Sequence, residues 1–185
     1  PRQVVAVGEG SRLPHAGAEA AQVAGLFPQG RLLVGADATL AALQQHAPQA
    51  DVLHLACHAQ FRHDNPMFSA LHLLDGPLTA EQAERLPLRR GVVVLSACET
   101  GLAGGAGGNE QVGLVRAFLV AGAARVLASL WPVDDAVTAL FMDHFYRALQ
   151  QGLQPAQALG DAQAAVACRH PHPAFWAGFV IFGGW

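Results

Sequence analysis

Residues 91–96 read Gly-Val-Val-Val-Leu-Ser, a run in which three valines and a leucine leave neither face polar. A strand of that kind is buried on both faces, which points to a parallel sheet between helices rather than a sheet with one face in water. Working outward, further β-rich runs stand at Gln3 to Val7, Arg31 to Val34, Asp51 to Ala56, Arg125 to Leu130 and Trp176 to Phe182. Helical stretches lie between them: Ala16 to Leu26, Thr39 to His46 with Asp37 at its start, about Gln111 to Ala121, Asp135 to Gln150 and Pro155 to Ala167. Thr79 and Gln82 form a capping box that opens a short helix through Arg85. A loop, Gln60 to Ser69, leads to a short apolar segment, Ala70 to Leu74. The alternation predicts an α/β sandwich, mainly parallel, with helices on both faces. No internal repeat or interdomain linker interrupts it, so one domain over 1–185 is expected.

Composition narrows the function. Charged residues are 14% and apolar residues 52% of 185 positions, against about 25% charged in a typical domain. All eleven basic residues are arginine, the net charge is −3, and no basic run occurs. Nucleic acid and anionic membrane are therefore excluded as main partners. Disorder is excluded by the hydrophobicity. No stretch approaches the ~18–20 apolar residues of a membrane span, and with no basic segment leading into an apolar run, a secretory signal is not expected. Three cysteines, Cys57, Cys98 and Cys168, cannot all pair, and a domain of this size needs no staples, so a reduced, cytoplasmic setting is expected. The chain opens at Pro1 without a methionine and is expected to be a piece of a larger protein.

In an open parallel sheet, ligands bind beyond the carboxyl ends of the strands. His58 lies just past the strand at 51–56 and Cys98 just past the valine-rich strand. If these strands are neighbours, about 4.8 Å apart, an imidazole and a thiol leave adjacent strand ends. That arrangement suits a histidine base and a cysteine nucleophile, since the thiolate is the reactive form. After Cys98 comes a flexible segment, Gly101 to Gly108, with five glycines in eight residues. Neither a phosphate-loop nor a dinucleotide spacing follows it, so it is expected to be a mobile active-site loop.

Four separated blocks carry a family resemblance: Ala50-Asp51-Val52-Leu53-His54-Leu55-Ala56-Cys57-His58, Val94-Leu95-Ser96-Ala97-Cys98-Glu99-Thr100-Gly101, Gly113-Leu114-Val115-Arg116-Ala117-Phe118 and Ser129-Leu130-Trp131-Pro132-Val133-Asp134-Asp135. In this order they resemble the motif series of CHAT domains, caspase-like cysteine peptidase domains commonly attached to tetratricopeptide repeats in bacterial proteins. The resemblance runs from about Leu13 to Trp185. It implies a caspase-like three-layer sandwich with a mainly parallel six-stranded sheet. It also implies a catalytic dyad of His58 and Cys98, with the backbone N–H groups of Ala59 and Cys98 as oxyanion hole, no metal and no cofactor. The activity implied is cleavage of a peptide or protein substrate, and the partner implied is a flanking tetratricopeptide-repeat or regulatory domain. The alternative is a catalytically silent peptide-binding or regulatory module. Two departures are visible: Ala59 replaces the usual glycine after the histidine, and Gly108 to Glu110 reads Gly-Asn-Glu for the usual Gly-Asp-Glu. If position 59 requires φ > 0, alanine there costs about 1 kcal/mol or more.

Other residues receive plainer readings. His54 and His58 are four residues apart on a strand, roughly 13 Å, too far to share a metal. His54 is expected in the core or supporting the site, while Cys57 and Cys168 are expected to be structural. Ser129 to Asp135 is the expected substrate groove, with an extended peptide bound through its main chain. Trp131 either walls a subsite or belongs to the core. Asp134 and Asp135 either supply a carboxylate for a basic P1 side chain or cap the following helix. Glu99 and Glu110 are read as solvated or helix-start residues.

Overall fold

The computed structural model describes residues 1–11, 15–62, 64–96 and 112–184. Cys98, Glu99, the glycine-rich segment 101–108, Glu110 and the start of the helix expected from Gln111 lie outside the described residues.

Six strands form one sheet: β1 (Gln3–Gly8), β2 (Gln29–Val34), β3 (Val52–Ala56), β7 (Val92–Leu95), β8 (Arg125–Ser129) and β9 (Phe179–Gly183). Their order is β2-β1-β3-β7-β8-β9. Every pairing is parallel except β8 with β9. The expected strand at 176–182 therefore begins later, after a 3-10 turn at Pro173–Phe175 that His172 caps.

Side chains alternate across the sheet, which builds two cores. One face carries Val5, Val7, Leu53, Leu55, Val93, Leu95 and Val126. It is covered by α2 (Leu40–His46), α3 (Ala80–Ala83) and α4 (Val112–Val120). The other carries Val4, Ala6, Val52, Val92, Val94 and Leu127, covered by α1 (Ala16–Gly25), α5 (Asp135–Gln150) and α6 (Pro155–Arg169). The central strands β3 and β7 are buried at every residue, as their continuous apolar runs require. The helix at 40–46 is capped by Thr39, whose hydroxyl accepts from the Ala42 amide. Asp37 instead sits in a 3-10 turn, Gly35–Asp37. The capping box of Thr79 and Gln82 is present at α3.

A second sheet stands where a loop and a short apolar segment were expected. Between β3 and α3 the chain forms an antiparallel trio, β4 (Ala59–Gln60), β5 (Ala70–Leu73) and β6 (Gly76–Thr79). Its hairpin closes through Leu74 and Asp75 into Gly76, whose φ of +139° is one that favours glycine. Pro77 is tolerated because β6 is an edge strand. The trio packs Leu71, Leu73 and Leu78 into the first core and sits directly beyond His58.

Gly113 is where α4 meets this layer: an added Cβ there would run into the Pro66 carbonyl oxygen and ring. Gly→Ala inside a helix ordinarily gains up to about 1 kcal/mol, but forcing a methyl into packed backbone costs about 1–3 kcal/mol. Gly113→Ala is therefore expected to destabilise the fold by about 1–2 kcal/mol net, read as a lowered urea midpoint at unchanged slope. An unchanged or raised midpoint would show that α4 is not seated on this loop.

Candidate active site

Parallel pairing places the carboxyl ends of β1, β3, β7 and β8 along one edge. Leu55 of β3 lies opposite Leu95 of β7, and the Ser96 amide donates to the Leu55 carbonyl at 3.0 Å. The two strands expected to carry the dyad are thus neighbours. His58 follows β3 and is half-buried. Its ring stacks on His72 of β5, with centroids 5.3 Å apart and planes 26° apart. Cys98, the proposed nucleophile, lies outside the described residues, beyond Ser96.

Ala59 is fully buried in β4, opposite Leu71. Among the described residues the only non-glycine with positive φ is Arg90, so Ala59 has none of the strain that alanine would suffer in a left-handed conformation. The His72 amide donates to the His58 carbonyl at 2.8 Å. Hydrogen-bonded pairs alternate with non-bonded ones in an antiparallel ladder, so the Ala59 amide points away from β5.

Because neighbouring side chains on β3 face opposite sides, His54 and Cys57 enter different cores. Cys57 is fully buried among leucines, and burial pushes its thiol up to about 12. It is structural, as expected. Cys168, by contrast, is exposed on α6 and fills no core position, which corrects its structural reading. On the same helix Ala158, Ala162 and Val166 are the inward positions.

His54 is fully buried. Its Nδ1 shares a hydrogen bond with the Tyr146 hydroxyl at 2.9 Å. Its Nε2 lies 3.3 Å from Glu19 Oε1 of α1, an approach whose alignment makes it electrostatic more than a good hydrogen bond. Burial raises the Glu19 carboxyl, but the His54 ring and the Ser96 hydroxyl outweigh it and hold it below its ordinary value. A polar chain thus runs from Tyr146 in the core through His54 and Glu19 to Ser96 at the end of β7.

Glu19 and Ser96 also line a cleft of about 500 Å³ between the amino-terminal halves of α1 and α5, with Asp134 and Asp135 among its other lining residues. The two aspartates have separate positions. Asp134 is the N-cap of α5, accepting from the Ala136 and Val137 amides at 3.0 and 3.2 Å, whereas Asp135 is an exposed first-turn residue. Trp131 is 37% exposed, so it belongs to the surface, and its indole N–H donates to the Ala174 carbonyl at 2.8 Å. The Ser129 hydroxyl donates to the Trp131 carbonyl at 2.6 Å. An added Cβ on Gly178 would stand 2.7 Å from the indole, so a glycine is what lets Trp131 lie against the backbone just before β9.

Three polar residues at this edge escaped the sequence reading: Glu9, Glu19 and His72. Glu9 directly follows β1, is 3% exposed, and caps the turn through the Ser11 amide at 2.9 Å. Its position after a strand was a usable signal. Glu19 and His72 sit mid-element, in α1 and β5, where no local pattern marks them.

This edge, with a histidine after one central strand and the chain towards a cysteine leaving its neighbour, is built on the fold of the caspase-like cysteine proteinases. The chain superposes over 98% of its length on the Arg specific cysteine proteinase gingipain R, with a TM-score of 0.64, 12% identity and 46% of that chain covered. In the complex of Porphyromonas gingivalis RgpB pro- and mature domains the TM-score is 0.68 at 11% identity, over 98% of this chain and 47% of the other. At such identities the likeness is one of fold. The CHAT domain pattern matches residues 4–184, and the chain belongs to that family. It is also similar to tetratricopeptide repeat protein 28 of Homo sapiens, 46% identical over 74 residues, 39% of this chain and 3% of that protein. The Mus musculus protein of that name is 40% identical over 108 residues, 57% of this chain and 4% of its own length. The chain thus spans only a few per cent of these relatives, whose name carries the repeat context expected to flank a CHAT domain.

The lowered Glu19 carboxyl has a consequence for stability. A carboxyl whose folded value lies below its unfolded value of about 4.5 stabilises the fold above that pH, and the contribution is lost as pH falls through the folded value. Glu19→Gln is expected to cost about 1–3 kcal/mol near pH 7, with the gap to the wild type closing in denaturant titrations below pH 4.5. A gap that is constant down to acid pH would show that the charge of Glu19 contributes nothing.

Proposed function

We propose that this domain is a cysteine endopeptidase, one unit over 1–185 of a larger cytoplasmic protein with tetratricopeptide repeats. His58 takes the proton of the Cys98 thiol, and the thiolate attacks the carbonyl of a peptide bond. The backbone N–H groups of Ala59 and Cys98 stabilise the oxyanion, the amine leaves with a proton from His58, and water hydrolyses the acyl-enzyme. The observation that carries this reading is the β3–β7 register: His58 and Cys98 each stand three residues past the paired Leu55 and Leu95. The direction of the Ala59 amide, away from β5, supports its part in the oxyanion hole.

The substrate lies extended beside Ser129 to Asp135. Trp131, exposed yet pinned at its indole N–H, suits a subsite wall. With Asp134 committed to its helix cap, Asp135 is the aspartate left to favour a basic P1 side chain. The Arg specific cysteine proteinase gingipain R, of the same fold, is in line with that preference.

An electrophilic peptide probe tests the dyad. Covalent labelling of Cys98 is expected in the wild type, none in Cys98→Ala, and labelling slowed by about 10²-fold or more in His58→Ala, the scale of a lost general base. No labelling under any activating condition would instead favour the silent binding module. A cleavage profile over an unbiased peptide library is expected to favour Arg or Lys at P1, with Asp135→Asn weakening that preference. Acidic P1 selection would reject the role of Asp135.

A further inference from the structure

The small antiparallel sheet places a second imidazole against the proposed base. β4 and β5 pair with Ala59 opposite Leu71 and Gln60 opposite Ala70. Carried one step further, this register sets His58 opposite His72. The His72 amide donates to the His58 carbonyl at 2.8 Å, as a hydrogen-bonded cross-strand pair requires. The rings then stack with an offset, their centroids 5.3 Å and planes 26° apart. His72 itself is held in mid-strand, with Pro77 of β6 opposite it.

The arrangement answers a difficulty at His58. The residue follows the end of β3, and imidazole χ2 is a broad torsion. A base must nevertheless bring one ring nitrogen within about 3 Å of the proton it takes. A flat ring stacked on one face, tied to the same backbone by a hydrogen bond, restricts the imidazole plane.

We propose that His72 is a positioning residue for proton transfer. By stacking on His58 it holds that imidazole in the plane in which a ring nitrogen receives the thiol proton, as the S–H bond breaks and the N–H bond forms. The role rests on the peptidase reading above.

The experiment compares His72→Ala with His72→Phe, which keeps a flat ring. Labelling of Cys98 is expected to slow by about tenfold or more in His72→Ala, the scale of a misplaced catalytic group. In His72→Phe it is expected to recover to within about threefold of the wild type. In parallel, the His58 ring protons, assigned by their loss in His58→Ala, are expected to lose their ring-current displacement in His72→Ala and regain one in His72→Phe. Should the alanine variant not fold, His72→Leu, similar in bulk but without a ring, takes its place.

A labelled wild type with an unaffected His72→Ala overturns the role, as does an equal loss in the alanine and phenylalanine variants. An unlabelled wild type instead overturns the peptidase reading and the role with it, so the two failures are distinct.

Discussion

Parallel pairing of β3 with β7 is the constraint on which the rest depends. Parallel neighbours leave a sheet at the same edge, so the chain segments that follow them set out side by side. The Leu55–Leu95 pairing and the Ser96 to Leu55 hydrogen bond fix the relative height of the two exits. The cost of this arrangement is that both strands need cover on two faces, which is why their runs are apolar throughout and why helices must pack on each side. The low charge content follows largely from that requirement: two cores in one small domain leave little surface for charge.

His54 is the exception inside that apolar strand, and its neighbours explain how it is tolerated. A buried imidazole without partners would cost several kcal/mol. Tyr146 on α5 and Glu19 on α1 reach it from two helices, so the polar chain also ties those helices to the sheet. Glu19 continues to Ser96, which couples the same tie to the end of β7. The core on this face is therefore joined by polar contacts to the edge at the carboxyl ends of the strands.

What the sequence made legible is what short-range pattern encodes. The valine-rich strand, the Asp135–Gln150 helix and the capping box at Thr79 each announce themselves through periodicity or a cap, and all three are present. Asp134 and Asp135 were ambiguous because a cap and a pocket carboxylate use the same side chain, and only backbone geometry separates them. The trio β4-β5-β6 was invisible because two residues of β4 carry no periodicity and Pro77 argues against a strand. His72 was lost with it. Its partner in space is His58, fourteen positions away in sequence, and nothing local relates the two. Glu19 was missed for a similar reason: it reads as one helix residue among alanines until His54 is placed beside it.

Fold and activity separate at this point. Gingipain R and this chain share a backbone at 12% identity, so the architecture tolerates replacement of most side chains, and membership of the CHAT family does not by itself decide whether this member cuts peptides. What decides it is whether the exits of β3 and β7 carry a base and a nucleophile in working geometry. The extended backbone at Ala59 bears on this directly. Glycine at that position would be essential only if the backbone were left-handed. In β4 it is strand-like, so alanine can present its amide as glycine would, and the substitution is no sign of lost activity. The burden then falls on the orientation of His58, whose ring stacks on His72 of the small sheet. If the proposed peptidase chemistry holds, the trio between β3 and α3 bears on that orientation as well as on packing.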